Sequence, residues 1–289
     1  MIIIKLIGGL GNQMFQYALY KKFKQLDRPV KLDRSWLLTK PAHNGYELDR
    51  VFDIHGDFAS FEEVHQLGDC KSDLFSKIKR RIFGVKSSHY IHEKFEYDPK
   101  IWKMEEGYLD GYWQSEKFFL DCKEQVVGDF LFKGELGEKN RKVKALAEAE
   151  NSVSLHVRRG DYIANPKINK KHGNICNNHY YKQGIEHMER VLAKPLFIIF
   201  SDDMDWVIKN LKLKNGIYVD WNTKDQSYKD MWLMSCCKNN IIANSSFSWW
   251  GAYLNRNPDK VVIAPNRWFN DRTINTNDVV PENWQKIKV

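Results

Sequence analysis

The chain has 289 residues, 43% apolar and 13% aromatic, with charged side chains spread along it, which excludes a disordered or low-complexity protein and fits two domains or one large α/β unit. Its net charge of +8 is scattered through runs such as KKFK, KIKRR and KINKKH. A solvated surface, an anionic membrane, and nucleic acid or phosphorylated ligands therefore all remain open as its explanation.

The opening MIIIKLI is too short for a signal-peptide core or a bilayer span and is expected to be a first strand. Cys70, Cys122, Cys176, Cys236 and Cys237 are odd in number, with two adjacent; they suit reduced thiols, and no spacing suggests zinc. Strand-like runs follow at 2–7, 152–157, 196–200, 216–220, 240–244 and 260–264. Most are continuous and apolar, as parallel strands covered on both faces are. Helical spacing appears at 12–26, 178–192 and 227–238. Strand and helix in alternation predict an α/β fold. Residues 35–135 are less regular and rich in aromatics, and a charged helix-like connector at 137–151 predicts a domain boundary near 150, giving lobes 1–150 and 151–289.

Four stretches carry chemistry. IGGLGNQM (7–14) has the position of a nucleotide-binding turn without its third glycine or a Gly-Lys-Ser/Thr. It reads either as a tight βα turn with Asn12 as N-cap, or as a helix start where the Asn12 and Gln13 amides hold sugar hydroxyls or anions. HVRRGDY (156–162) places Arg158 and Arg159 at a strand end, where open α/β sheets bind ligands; one could face a phosphate while the other pairs with Asp161, or both could be structural ion pairs. FSDDMDW (200–206) reads as a metal site or a helix cap formed by Ser201 or Asp202. In residues 230–255, Asp230 could complete a capping box with Ser227. Ser245 and Ser246 could cap a helix or cradle phosphate, and Trp249 and Trp250 could fill a core.

Taken together, GGLGNQMFQYA (8–18), HVRRGDY, FSDDMDW and IIANSSFSWWGAYLN (241–255) resemble glycosyltransferase family 11, the bacterial galactoside α-1,2-fucosyltransferases. The resemblance runs over nearly the whole chain. It implies a GT-B-like fold of two Rossmann-type α/β lobes facing across a cleft, with GDP-β-L-fucose on the C-terminal lobe and a β-galactoside glycan, lipid-linked in some settings, on the N-terminal one. It also implies no cofactor, no divalent metal and no nucleic-acid partner. The expected place is the cytoplasm, with peripheral contact at the inner membrane face as a further expectation.

By the same resemblance Arg158 holds the β-phosphate of departing GDP, in place of the Mg²⁺ or Mn²⁺ of metal-dependent transferases, and Ser245, Ser246 and Phe247 add phosphate contacts. Asp230 accepts from the guanine edge, where N1–H and N2–H₂ are parallel donors, and His156 flanks base or ribose. Asn12 is the second catalytic candidate. Glu47 and Asp49, in YELDRVF (46–52), are acceptor-side carboxylates. The alternatives are a transferase of another nucleotide sugar or acceptor, and a carbohydrate-binding protein without turnover, suggested by ten tryptophans.

Overall fold

The computed structural model describes residues 1–39, 44–70, 78, 81–82 and 84–289. Of the basic run at 77–81, positions 77, 79 and 80 lie outside the described residues. Two compact units are present, Met1–Leu131 and Phe132–Val289.

The first unit holds a four-stranded parallel sheet made of β1 (Ile2–Lys5), β2 (Val30–Asp33), β3 (His89–His92) and β4 (Gly107–Gly111), in the order β2-β1-β4-β3. β1 meets the expected first strand, its three isoleucines fully buried. The glycine loop ends it, and the helix Leu10–Gln25 follows, starting on Gly9 and burying Met14, Phe15, Ala18 and Leu19. Because β2 and β4 flank β1 on opposite sides, the loops leaving β1 and β4 adjoin at the carboxyl edge. Such a switch point is where open parallel sheets leave room for a ligand.

The second unit holds a six-stranded parallel sheet: β5 (Ser152–Val157), β6 (Leu196–Ser201), β7 (Gly216–Val219), β8 (Asn239–Ile241), β9 (Val262–Pro265) and β10 (Gln285–Ile287), in the order β10-β9-β8-β5-β6-β7. One face takes Val153, Leu155, Val157, Phe197 and Ile199 against Tyr180, Tyr181, Ile185 and Met188 of the helix Asn178–Val191. The other takes Leu196, Ile198 and Phe200 against Leu233 and Met234 of the helix Tyr228–Cys236. Successive side chains of a strand point to opposite faces. β5 therefore sends Ser152, Ser154 and His156 to the second face, so the run SVSLHV, buried throughout, alternates in chemistry. The switch point lies between β5 and β8.

The boundary falls at Leu131–Phe132 rather than near 150. The connector is a helix, Glu138–Ala149, and its apolar side belongs to the second unit: Val143 and Ala147 pack with Leu196, Ile198 and Phe200. No helix among the described residues is long and apolar enough to cross a membrane.

Candidate active site

Arg158 stands one residue beyond β5. Its Nη2 lies 2.7 Å from Asp161 Oδ1, and its Nη1 lies 2.7 Å from Asp202 Oδ2, just past β6. Register explains the meeting: Val157 pairs with Ser201, so both loops leave the sheet side by side. A Cβ on Gly160 would stand 2.8 Å from Asp202 Oδ2, so the absence of a side chain there admits the carboxylate. The guanidinium also lies 5.5 Å from the ring centre of Tyr162, whose hydroxyl donates to Asn244 O at 3.0 Å. That bond ties the loop after β5 to the segment leaving β8.

Arg159 turns elsewhere. Its Nε lies 3.0 Å from Asp203 Oδ2, its guanidinium sits 4.2 Å from the ring centre of Trp206, and its N–H donates to Asp202 Oδ1 at 2.7 Å. Both arginines thus form ion pairs: Arg158 is the one paired with Asp161, and with Asp202 as well, whereas Arg159 pairs with Asp203, so the expected division into one phosphate-facing and one Asp161-paired arginine is not what the ion pairs show. In FSDDMDW, Asp203 caps the helix Met204–Asn210 by accepting from Trp206 N, not Ser201 or Asp202. Among the described residues no group of three His, Cys, Asp or Glu is placed to hold a metal.

His156 is buried, its ring 5.8 Å from that of Phe247. Burial pulls its pKa down to about 4, against the upward pull of Asp202, so it is neutral at physiological pH. Its Nδ1 has no hydrogen-bond partner. Ser245 caps the helix Ser246–Tyr253 by accepting from Phe247 N at 3.3 Å, while Ser246 is partly accessible at the first helical position. Arg158, His156, Ser245, Ser246 and Phe247 therefore gather at the carboxyl ends of β5 and β8.

Asp230 lies in the first turn of Tyr228–Cys236, on the same carboxyl edge, because that helix follows β7. The capping box is not formed: Ser227 makes no side-chain cap bond. Asp230 Oδ1 instead accepts from Asn222 Nδ2 at 2.8 Å. Asn222 exchanges amide bonds with buried Asn140, at 2.8 and 3.0 Å, and Trp221 Nε1 donates to Asn140 Oδ1 at 2.8 Å. Burial among neutral amides pushes the Asp230 carboxyl up to about 7, the Asn222 bond opposing. A carboxyl held near neutrality in this way marks a functional candidate.

In the first unit Asn12 is not the N-cap: Gly9 is, and Asn12 falls inside the first turn. Its Oδ1 accepts from Gln114 Nε2 at 2.8 Å, which joins the loops leaving β1 and β4. Gln13 turns inward, donating to Gly8 O and Gly45 O and accepting from Glu47 N, so its amide is structural. Glu47 is buried against Arg50 at 2.6 Å and takes an Asn44 amide bond; burial raises its pKa despite both. Asp49 sits partly exposed in the helix Leu48–Phe52. Sequence reading missed Gln114, Asn222 and Asn140. The polar run opening after the aromatic pair in GYWQSEK was at most a weak signal for the first, and the two asparagines gave none.

Trp113, Trp249, Trp250, Trp268 and Trp284 are buried, so half of the ten tryptophans are closed to sugar stacking, which weakens the case for a sugar-binding protein without turnover.

The sequence model of Glycosyl transferase family 11 matches residues 68–288. The chain is 33% identical to an α-1,2-colitosyltransferase of Escherichia coli over 99% of both chains. It is 35% identical to the O-antigen biosynthesis glycosyltransferase WbnK of Escherichia coli, over 91% of this chain and 93% of that one. Among solved structures, the α-1,6-fucosyltransferase NodZ, soaked with GDP-fucose, matches 88% of this chain and 92% of its own with a TM-score of 0.51 at 14% identity, a likeness of fold alone. Together with the two parallel-sheet units it bears out the expected α/β, GT-B-like fold.

Proposed function

The chain belongs to glycosyltransferase family 11, and we propose that it is an inverting, metal-independent α-1,2-fucosyltransferase acting on O2 of a terminal β-galactose in a surface glycan, with GDP-β-L-fucose as donor. The observation that carries this reading is the guanidinium of Arg158, held by two carboxylates at the switch point of the six-stranded sheet, beside the helix start at Ser245–Ser246.

In the reaction the galactose O2 attacks C1 of fucose and the bond from C1 to the β-phosphate oxygen breaks. The electron pair leaves with GDP, and the O2 proton passes to water or to the departing diphosphate. Negative charge grows on the β-phosphate as the sugar gains oxocarbenium character, so a fixed cation there acts on the transition state more than on the ground state. Arg158 has five N–H donors, two of them spent on Asp161 and Asp202, and the remaining three are available to phosphate oxygens. The N-terminal end of Ser246–Tyr253 adds backbone N–H groups and the helix dipole.

Asp230 reads the guanine edge when ionised. With its carboxyl near 7, lowering the pH through that value protonates it and removes its capacity to accept two N–H bonds. GDP affinity measured by calorimetry is therefore expected to fall as pH drops below about 7. Asp230→Asn is expected to weaken GDP binding and flatten that dependence, and a variant that keeps the wild-type pH curve would remove Asp230 from the site.

A second reading follows from the colitosyltransferase relative. Colitose is fucose without its 3-hydroxyl, and a pocket that hydrogen-bonds a hydroxyl rejects the analogue lacking it by about 10⁴ or more. GDP-fucose and GDP-colitose, each offered with lactose in excess EDTA, distinguish the two by GDP release, the linkage being read by NMR. A Fucα1-2Gal product in EDTA supports the proposal, whereas turnover of GDP-colitose alone moves the donor to the second reading. No GDP binding would sink both.

A further inference from the structure

The strongest unassigned geometry lies at the switch point of the first sheet. Asn12 makes one side-chain hydrogen bond among the described residues, accepting at Oδ1 from Gln114 Nε2 at 2.8 Å. The other end of its amide lies over Gly8, in the left-handed region at φ +78, where an added Cβ would stand 2.4 Å from Asn12 Nδ2. The amide is therefore held at its oxygen by a donor, while its nitrogen end occupies space that only a glycine at position 8 leaves open.

Gln114 is itself held. It is 8% exposed and follows Trp113, whose backbone is left-handed at φ 56 although it is a bulky aromatic residue. The Trp113 ring is fully buried and stacks on His92 at 4.4 Å with 10° between planes, and its carbonyl accepts from Ser115 N at 2.8 Å. A side chain of that size persists at positive φ only where its surroundings over-determine it, and such positions cluster at functional sites. Here the strained turn at the end of β4 delivers Gln114 to Asn12.

We propose that Gln114 is a positioning residue for sugar transfer: by donating to Asn12 Oδ1 it fixes the Asn12 amide so that its NH₂ is the group offered to a sugar oxygen. With its oxygen occupied, the Asn12 side chain can only donate, and its partner is an oxygen with a free lone pair, in a hydroxyl or ring of the glycan or of the transferred sugar. This rests on the reading of Asn12 as a sugar-contacting residue of the transferase.

The test is a double-mutant cycle on the full chain with GDP-fucose and lactose, measuring kcat, KM for lactose, GDP affinity and the thermal midpoint. Asn12→Ala is expected to lower kcat/KM about 10²-fold and Gln114→Leu about 10-fold, with GDP affinity unchanged, and the double variant is expected to be no worse than Asn12→Ala alone. Gln114→Glu keeps the shape, and when assayed at a pH high enough to ionise the buried carboxyl it cannot donate and instead draws Asn12 Nδ2 toward itself. It is expected to fall below Gln114→Leu in activity while keeping wild-type GDP affinity, which separates lost positioning from lost folding even where burial of the charge lowers the thermal midpoint. Losses that simply multiply in the double variant, or a Gln114→Glu enzyme as active as wild type, would overturn the positioning role alone. Wild-type activity in Asn12→Ala would overturn the reading of Asn12 and the proposal with it, and no transfer by the wild type would count against the transferase reading itself.

Discussion

Replacing Arg158 by alanine is expected to cut the rate of GDP release from GDP-fucose in the presence of lactose by about 10²–10³-fold, the usual cost of losing one preorganised group at a developing charge. The geometry places this loss at the upper end. In the wild type one guanidinium is shared by Asp161 and Asp202. Its removal leaves two carboxylates facing an incoming diphosphate with no cation between them, so repulsion adds to the missing attraction. Two controls follow. Arg158→Lys keeps the charge but loses the planar fork, and is expected to retain part of the rate. Adding Asp202→Asn to Arg158→Ala removes one of the repelling charges and is expected to recover some donor affinity. Stability is expected to change little, by about 1 kcal/mol, because the three side chains keep between 26% and 34% exposure and water screens them. A single-turnover rate for Arg158→Ala within about threefold of wild type would return the arginine to a purely structural ion pair.

Trp249→Ala is expected to destabilise the second unit by about 3–5 kcal/mol, the range for emptying a buried aromatic site. Trp249 is fully buried, donates from Nε1 to Val279 O at 2.7 Å, and stacks on Tyr253 with ring centres 4.4 Å apart and 19° between planes. Trp250 and Trp284 close the cluster at 5.0 and 5.4 Å. Against a total stability of about 5–15 kcal/mol, such a loss removes a large share of the margin. The urea midpoint is the measurement, and Trp249→Phe, which keeps an aromatic ring but loses the hydrogen bond, is expected to fall between. A change under about 1 kcal/mol would mean that the site refills by collapse. The same substitution reaches function, because Trp249 lies on the helix whose start carries Ser245 and Ser246.

The second sheet was legible because its strands carry Val, Ile, Leu and Phe at most inward positions: β5, β6, β7 and β9 fall on or within about two residues of the predicted runs, and β8 (Asn239–Ile241) ends three residues short of its run at 240–244. In the first sheet β1 was legible and the other three strands were not. β2, β3 and β4 are only four or five residues long and carry Lys31, Asp33, His89, His92 and Asp110, which spoil any apolar signal. Those polar groups are satisfied only in three dimensions: Tyr108 donates to Asp33 at 2.7 Å and Lys5 pairs with Asp110 at 2.7 Å. β10 was missed because it is an exposed edge strand. At the site, Arg158, His156 and the two serines were visible because they end or follow predicted strands. Asn140 and Gln114 act across long stretches of chain, on Asn222 and Asn12, and no local pattern announces such a pair.

The position of the helix Glu138–Ala149 bears on how relatives could be recombined. A chimaera crossed over at 150 would take Asn140 from one parent and Asn222 and Asp230 from the other. It would split both an amide pair and the Val143–Ala147 side of a packed core between two ancestries. A crossover at Leu131–Phe132 keeps each inherited block whole, and so marks the junction at which a first unit could be grafted from one relative to another without disturbing what surrounds Asp230.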